Sequence, residues 1–313
     1  MYNQFLEYLK SNDPEEVISK NGIRVRKIVN PLLRIGARPT GHYRFKLEKR
    51  AKMPKNVPII YAPTHGFKDD FLYTLSVIDD HAYVLFGSLP QFYHTIDGIA
   101  SWVNGSIIVD REDPASRHAS VEKMKRAIEL GSNLTVFPEG VWNKEECLLI
   151  LKLYSGIYKV AKETGAWVAP VATHVEKDTC YGSLGEAFDI SKYSEKEGLQ
   201  ILRDKMATLK FELMDKYSHY SRKDLVQENP NLHEYWKDYI DSLIAQVDYY
   251  DHEVENKAMY KELNEQSESE VFLLIAENVK LTNDNAYVMS GVKQILKKYN
   301  LSLIHISEPT RQE

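Results

Sequence analysis

The sequence predicts an α/β domain with a largely parallel central sheet flanked by helices, followed by a helical C-terminal extension. Short apolar runs recur at residues 57–62, 82–86, 106–109, 134–137 and 167–172, each of a length that suits a buried strand. Helical periodicity fills the intervals, most clearly at 115–130 and 151–164. Strands alternating with helices place the helices on the faces of the sheet and favour parallel pairing. With 313 residues, the chain can bury about three quarters of its unfolded surface.

The elements divide the chain into four stretches. Residues 1–56 form a basic segment expected to be helical. Between Arg24 and Lys55 stand eleven bases and a single acid, Glu48, interleaved with Ile28, Val29, Leu32, Leu33, Ile35, Tyr43 and Phe45. Basic charge beside apolar side chains suits an anionic lipid surface, and the alternative is a solvated helical face. Residues 57–220 carry the strand–helix alternation, and its helix at 151–164 ends at Gly165, a residue that readily takes the left-handed conformation of a helix stop. Residues 221–300 read as an acidic helical extension. One long helix at 195–217 leads into it, and further helix is expected at 231–264. Residues 195–284 hold 20 acids and 11 bases, and no motif there identifies a partner. The last residues, 301–313 (LSLIHISEPTRQE), resemble a translated sequencing adapter. They are expected to be non-native, with the natural C-terminus missing, and His305 receives no role.

Composition removes several function classes. Hydrophobic residues at 43% and charged residues at 27% are an ordinary globular balance, which excludes wholesale disorder. A net charge of -5 argues against general nucleic-acid binding. Cys147 and Cys180 cannot build a disulfide framework and lack metal-ligand spacing, so a reducing, cytoplasmic setting and no structural metal are expected. The most apolar stretch, residues 148–158, contains Lys152 and falls far short of the roughly 20 residues of a spanning helix. Residues 1–10 lack the apolar block of a signal peptide. The expectation is a soluble protein, or one that lies on a membrane without crossing it.

Chemistry concentrates where the first of these apolar strands ends. VPIIYAP runs into Thr64-His65-Gly66-Phe67-Lys68-Asp69-Asp70, placing a histidine and two acids at a strand-to-helix junction. Histidine accepts a proton near neutral pH, and a carboxylate on its other nitrogen fixes tautomer and orientation. Positions five apart on one helix diverge by roughly 140°, so His65 meets Asp70 only if His65 lies in the loop, Gly66 makes the turn and Asp70 starts the helix. Asp69 would face His65 only if the helix began earlier.

Three further blocks follow in order: Gly105-Ser-Ile-Ile-Val-Asp110-Arg111, Phe137-Pro138-Glu139-Gly140 and Val168-Ala169-Pro170-Val171. The series resembles the four motif blocks of the glycerolipid acyltransferases, the family that includes lysophosphatidic acid acyltransferases, over about residues 57–190. That resemblance implies a glycerolipid-acyltransferase-type αβ domain in which His65 is the general base on a glycerol hydroxyl and Asp70 holds it. It implies that Arg111 binds the acceptor's phosphate, and that Glu139 binds the acceptor's polar part or supports the site. Gly140 would allow close backbone approach, Gly105 and Pro138 would shape the loops carrying Arg111 and Glu139, and Pro170 would lie near the site or the acyl pocket. The implied donor is acyl-CoA or acyl carrier protein and the implied acceptor is 1-acyl-sn-glycerol-3-phosphate. No cofactor or metal is implied, and the expected place is the cytoplasmic face of an anionic membrane, as a peripheral, bacterial-type enzyme. Rival readings are an acyltransferase with another acceptor (glycerol-3-phosphate or a lyso-aminolipid), a hydrolase in which His65 activates water, and a non-catalytic lipid-binding module. The third block departs from the family pattern: Val141-Trp142-Asn143 follow Gly140 where a Thr and a basic or small polar residue are usual. The acceptor or acyl pocket is where that change would be felt.

Overall fold

The computed structural model describes residues 11–37, 43–66, 70–87, 96–145, 148–218, 222–244, 268–279, 281–282 and 285–299. The chain divides into two compact units, residues 1–254 and 255–313.

Seven strands make one sheet in the first unit: β1 (Arg44–Arg50), β2 (Ile59–Pro63), β3 (Ala82–Gly87), β4 (Ser106–Val109), β5 (Asn133–Thr135), β6 (Trp167–Glu176) and β7 (Thr179–Leu184). Their order is β1-β7-β6-β2-β5-β3-β4. Every pairing is parallel except the β6–β7 hairpin. β2 and β4 are buried at every position, as strands covered on both faces must be.

Alternate residues of β2 feed two separate cores. Ile60 and Ala62 pack with Tyr83, Ile107, Leu134 and Val168 against α5 (Pro114–Glu129), α6 (Gly156–Thr164) and α7 (Glu195–Tyr217). Ile59 and Tyr61 pack with Ala82, Ala169, Val171 and Leu184 against Leu75, Val77 and Ile78 of α3 (Asp70–Ile78). Local sequence sets the helix ends. Asp113 caps α5 by accepting the amides of Ala115 and Ser116, with Pro114 in the first turn. Ser194 and Glu197 form a capping box that opens α7, and Gly165 closes α6 at φ 70°. Two helices, α1 (Pro14–Val17) and α2 (Lys20–Ala37), precede the sheet, and α4 (Ile96–Asn104) links β3 to β4.

Three expectations change. The segment before residue 57 was expected to be helical, yet its residues 44–50 form edge strand β1. Its basic residues there serve the fold: Arg44 pairs with Asp178 at 2.9 Å and Arg50 with Asp79 at 3.0 Å, and charged side chains on an edge strand discourage pairing with another chain. β7 was not anticipated either, because Gly182 interrupts its apolar run. The helix expected over 151–164 begins only at Gly156; in the loop before it the amides of Leu151 and Tyr154 donate to Glu139 Oε2 and Pro138 O.

After α7 come α8 (Arg222–Glu228) and α9 (Leu232–Ile244), and the rest of the helix expected to residue 264 lies outside the described residues. In the second unit, α10 (Glu268–Asn278) and α11 (Ala286–Lys298) pack together through Met289, Val292 and Leu296 with Phe272 and Ile275. Residues 1–10 and 301–313 also lie outside the described residues. No helix among the described residues is long and apolar enough to cross a membrane.

Gly182 gives a test of the α3-side packing. A Cβ built there would stand 2.3 Å from Val77 Cγ2 and 3.0 Å from the Phe45 ring, pressing α3 and β1 away from β7. Gly182→Ala should destabilise the protein by about 1–3 kcal/mol through overpacking. Urea denaturation measures this, and an unchanged midpoint would contradict the packing.

Candidate active site

The ends of the parallel strands assemble the site. Where β2 stops, Thr64 is still tied to the sheet: its amide donates to Val171 O at 3.0 Å and its hydroxyl accepts the Thr173 amide at 3.3 Å. His65 and Gly66 lie in the loop and Asp70 is the first residue of α3, as the spacing required. His65 Nδ1 stands 2.7 Å from Asp70 Oδ2, with the two side chains 18% and 11% exposed. With the carboxylate ionised, Nδ1 carries the proton and Nε2 is left as the basic nitrogen. Phe137 packs against the imidazole with ring centroids 4.6 Å apart. Asp69 lies outside the described residues.

Glu139 follows β5 and is fully buried. Its Oε1 accepts the His65 amide at 2.7 Å and its Oε2 accepts the Leu151 amide at 2.8 Å. Burial pushes its pKa up, and the two amide bonds pull the other way. Of the two roles implied for Glu139, this geometry serves support of the site: no part of the side chain is open to an acceptor. Pro138 and Gly140 shape the turn around it. Pro138 O accepts the Tyr154 amide at 2.8 Å, and Gly140 has φ 75°, with the Tyr154 ring so close that a Cβ would stand 2.5 Å from it. Beyond the turn, the Asn143 amide donates to His65 O at 3.0 Å, and Trp236 Nε1 of α9 donates to Lys144 O at 2.6 Å. The Trp142 indole is half-buried.

Arg111 leaves the end of β4 and lies across Gly87 at the end of β3, where a Cβ would stand 3.6 Å from its guanidinium. Its Nη2 donates to Gly140 O, so the second and third motif blocks touch through this bond. Burial pushes its pKa down, and among the described residues no carboxylate lies within ion-pair distance. Gly105 is not part of this assembly. It precedes β4, at the opposite end of the strand from Arg111, with φ 114° and the Tyr83 ring 3.0 Å from an added Cβ. It therefore shapes the entry to β4 and not the loop that carries Arg111. Pro170 is buried within β6, paired with Ala62.

Several residues at or near the site carried no sequence signal. Tyr154, Arg203 and Lys210 act through contacts that no spacing rule encodes. Arg203 donates to the carbonyls of Ile150 and Leu151, and Lys210 Nζ donates to Thr173 O at 2.6 Å. No cluster of three or more His, Cys, Asp or Glu able to hold a metal occurs among the described residues. Cys180 is buried in β7, and Cys147 lies outside the described residues.

A family model described as Acyltransferase matches residues 44–174, from β1 into β6. Over 113 residues the chain is 30% identical to the 1-acyl-sn-glycerol-3-phosphate acyltransferase of Haemophilus influenzae, covering 36% of this chain and 46% of that protein. The likeness to acyltransferases therefore covers residues 44–174. The chain spans just under half the length of this curated relative. The crystal structure of the 1-acyl-sn-glycerophosphate (LPA) acyltransferase PlsC from Thermotoga maritima superposes with a TM-score of 0.49 at 18% identity, over 71% of this chain and 90% of that one. The family match takes in β1 as well as the strand that begins at residue 59.

His174, on β6, is a second histidine with an acid nearby, but its geometry differs. Ser218 Oγ at 3.2 Å and Glu176 Oε2 at 3.9 Å both approach Nε2, so no acid orients the opposite nitrogen. Burial, aided by the Lys210 ammonium, pushes its pKa down to about 4. A folded-state pKa below the unfolded value contributes stability above pH 6.5 that is lost as pH falls toward 4. Replacing His174 by Gln should flatten the acid limb of the stability curve in that window by up to about 3 kcal/mol. Urea midpoints measured between pH 7 and 4 test this, and parallel acid limbs would contradict it.

Proposed function

We propose that the protein transfers a fatty acyl group from acyl-CoA or acyl carrier protein to the free hydroxyl of 1-acyl-sn-glycerol-3-phosphate, giving phosphatidic acid. The observation that carries this reading is the His65–Asp70 pair, whose Nε2 has no hydrogen-bond partner among the described residues. In the proposed step, Nε2 takes the proton of the acceptor hydroxyl as the oxygen attacks the thioester carbonyl. The tetrahedral adduct then collapses, the carbon–sulfur bond breaks, and the imidazolium returns its proton to the leaving thiolate. No covalent intermediate, cofactor or metal enters.

Arg111 supports a phosphate-bearing acceptor. A half-buried guanidinium without a carboxylate partner is matched by an incoming dianion, which a planar fork can bind with two charge-assisted hydrogen bonds. Glu139, Pro138 and Gly140 are assigned to holding the loops in place. A peripheral position on an anionic, cytoplasmic-face membrane is supported by α2: Val25, Ile28 and Leu32 share one outward face and are 59%, 76% and 69% exposed, with Lys20 and Arg24 beside them. Ile23 and Asn30 face inward on the same helix.

Two outcomes test the reading. His65→Ala should lower transfer roughly 10²–10⁴-fold with the fold intact, and Asp70→Asn should also reduce turnover sharply. Full activity of His65→Ala by product mass spectrometry would end the acyltransferase reading, and fatty acid released without acceptor would favour hydrolysis. Arg111→Lys keeps the charge but loses the fork, so it should raise KM for lysophosphatidate, and Arg111→Ala should do more. Acceptors without a phosphate monoester should be affected much less. Equal losses with both classes would make Arg111 structural and remove the acceptor assignment.

A further inference from the structure

Helix α7 lies beyond the segment matched by the family, in a stretch whose sequence offers only acidic character and a capping box. Its buried seam of Leu202, Met206, Leu209 and Leu213 fixes it against the sheet. Arg203 and Lys210 flank that seam. They stand seven residues apart, and so within about 20° of each other around the helix.

Each cation grips backbone carbonyls linked by further hydrogen bonds to residues 64–65. The Arg203 guanidinium donates to Ile150 O at 2.8 Å and 3.2 Å and to Leu151 O at 3.2 Å. Leu151's own amide is the one that Glu139 Oε2 accepts, and Glu139 Oε1 accepts the amide of His65. Lys210 Nζ donates to Thr173 O, and the Thr173 amide donates to the hydroxyl of Thr64, the residue before His65. Two hydrogen-bonded paths therefore run from one face of α7 and converge on residues 64–65. Burial pushes the Lys210 pKa down, and Cys180, Glu139 and Asp70 act the other way.

Asp204 adjoins Arg203 on α7, yet among the described residues Arg203 makes no ion pair and serves carbonyls alone. We infer that Arg203 and Lys210 are positioning residues for acyl transfer: they hold, from outside the family domain, the two segments that aim the His65 imidazole. This inference rests on the proposed role of His65 as the base.

The test combines kinetics with amide exchange. Arg203→Met and Lys210→Met, with Arg203→Lys and Lys210→Arg beside them, are assayed for transfer to lysophosphatidate. Hydrogen exchange is followed by mass spectrometry in peptides covering residues 60–66 and 148–153. Arg203→Met should lower kcat about tenfold or more with KM within about twofold, because a mispositioned base weakens the transition state and not acceptor binding. Lys210→Met should behave likewise, with Lys210→Arg restoring most of the rate. Exchange should quicken about tenfold in both peptides while the centre of the sheet keeps its protection. In a Glu139→Gln background the Arg203→Met loss should shrink to about threefold or less, since the path is already broken there.

An Arg203→Met kcat within about twofold of wild type, or the same loss in both backgrounds, would overturn the inference. If Arg203→Met does not fold, Arg203→Lys, which loses the forked grip, replaces it with about a threefold kcat loss as the threshold. A wild-type enzyme that acylates no lysophospholipid would remove the proposed function, and the exchange data alone would then decide: quickened exchange in both peptides upholds the brace, and exchange confined to α7 overturns it.

Discussion

Two backbone amides, of His65 and Leu151, converge on the Glu139 carboxylate, and the placement of the His65 loop follows from that convergence. Taking a carboxylate fully out of water costs several kcal/mol. Hydrogen bonds to a charged group return about 1.5–3 kcal/mol each, so two of them nearly offset the burial. Loss of the carboxylate would leave two buried amides unpaired, at about 1–3 kcal/mol apiece. The arrangement is therefore close to neutral for stability while it is intact and expensive once broken, which suits a group whose value is geometric. It joins the loop after β2 to the chain that precedes α6, two segments with no strand pairing between them.

The sheet supplies the rest of the frame. β2, β4 and β5 run parallel, so the loops bearing His65, Arg111 and Glu139 all open at the same end. In open α/β sheets, that carboxyl end is where ligands bind. Gly105, one strand-length away at the other end of β4, belongs to the packing on Tyr83, and Arg111 reaches across the strand ends to Gly140 to close the group.

Much of this was legible in the residues. The buried strands stood out as apolar runs because both of their faces are covered, and the His65–Asp70 geometry followed from helical angles. What stayed hidden has physical reasons. β1 is an edge strand whose charges mask its only apolar positions, Phe45 and Leu47, and β7 carries Gly182 where Val77 and Phe45 close in. The loop ahead of α6 is held by Glu139 Oε2 and Pro138 O, partners that no helical periodicity encodes. Arg203 and Lys210 were illegible for a related cause: their partners are carbonyls, and a carbonyl leaves no trace in residue identity. Glu139 itself was visible as part of a motif, but whether it faces a ligand or a backbone is a matter of burial, which no spacing reveals.

The parallel pairing of β1 with β7 sets an order on biosynthesis. Arg44 lies opposite Thr179 and Arg50 opposite Leu184, so the first of the described strands to be synthesised docks on the last of them. At translation speeds of about 5–20 residues per second, β1 waits on the order of ten seconds for its partner. Through that interval its edge is guarded only by the charges of Arg44, Lys46, Glu48, Lys49 and Arg50. Those charges, which obscure the strand to a reader of the sequence, are what keep the nascent chain from pairing with a neighbouring copy of itself.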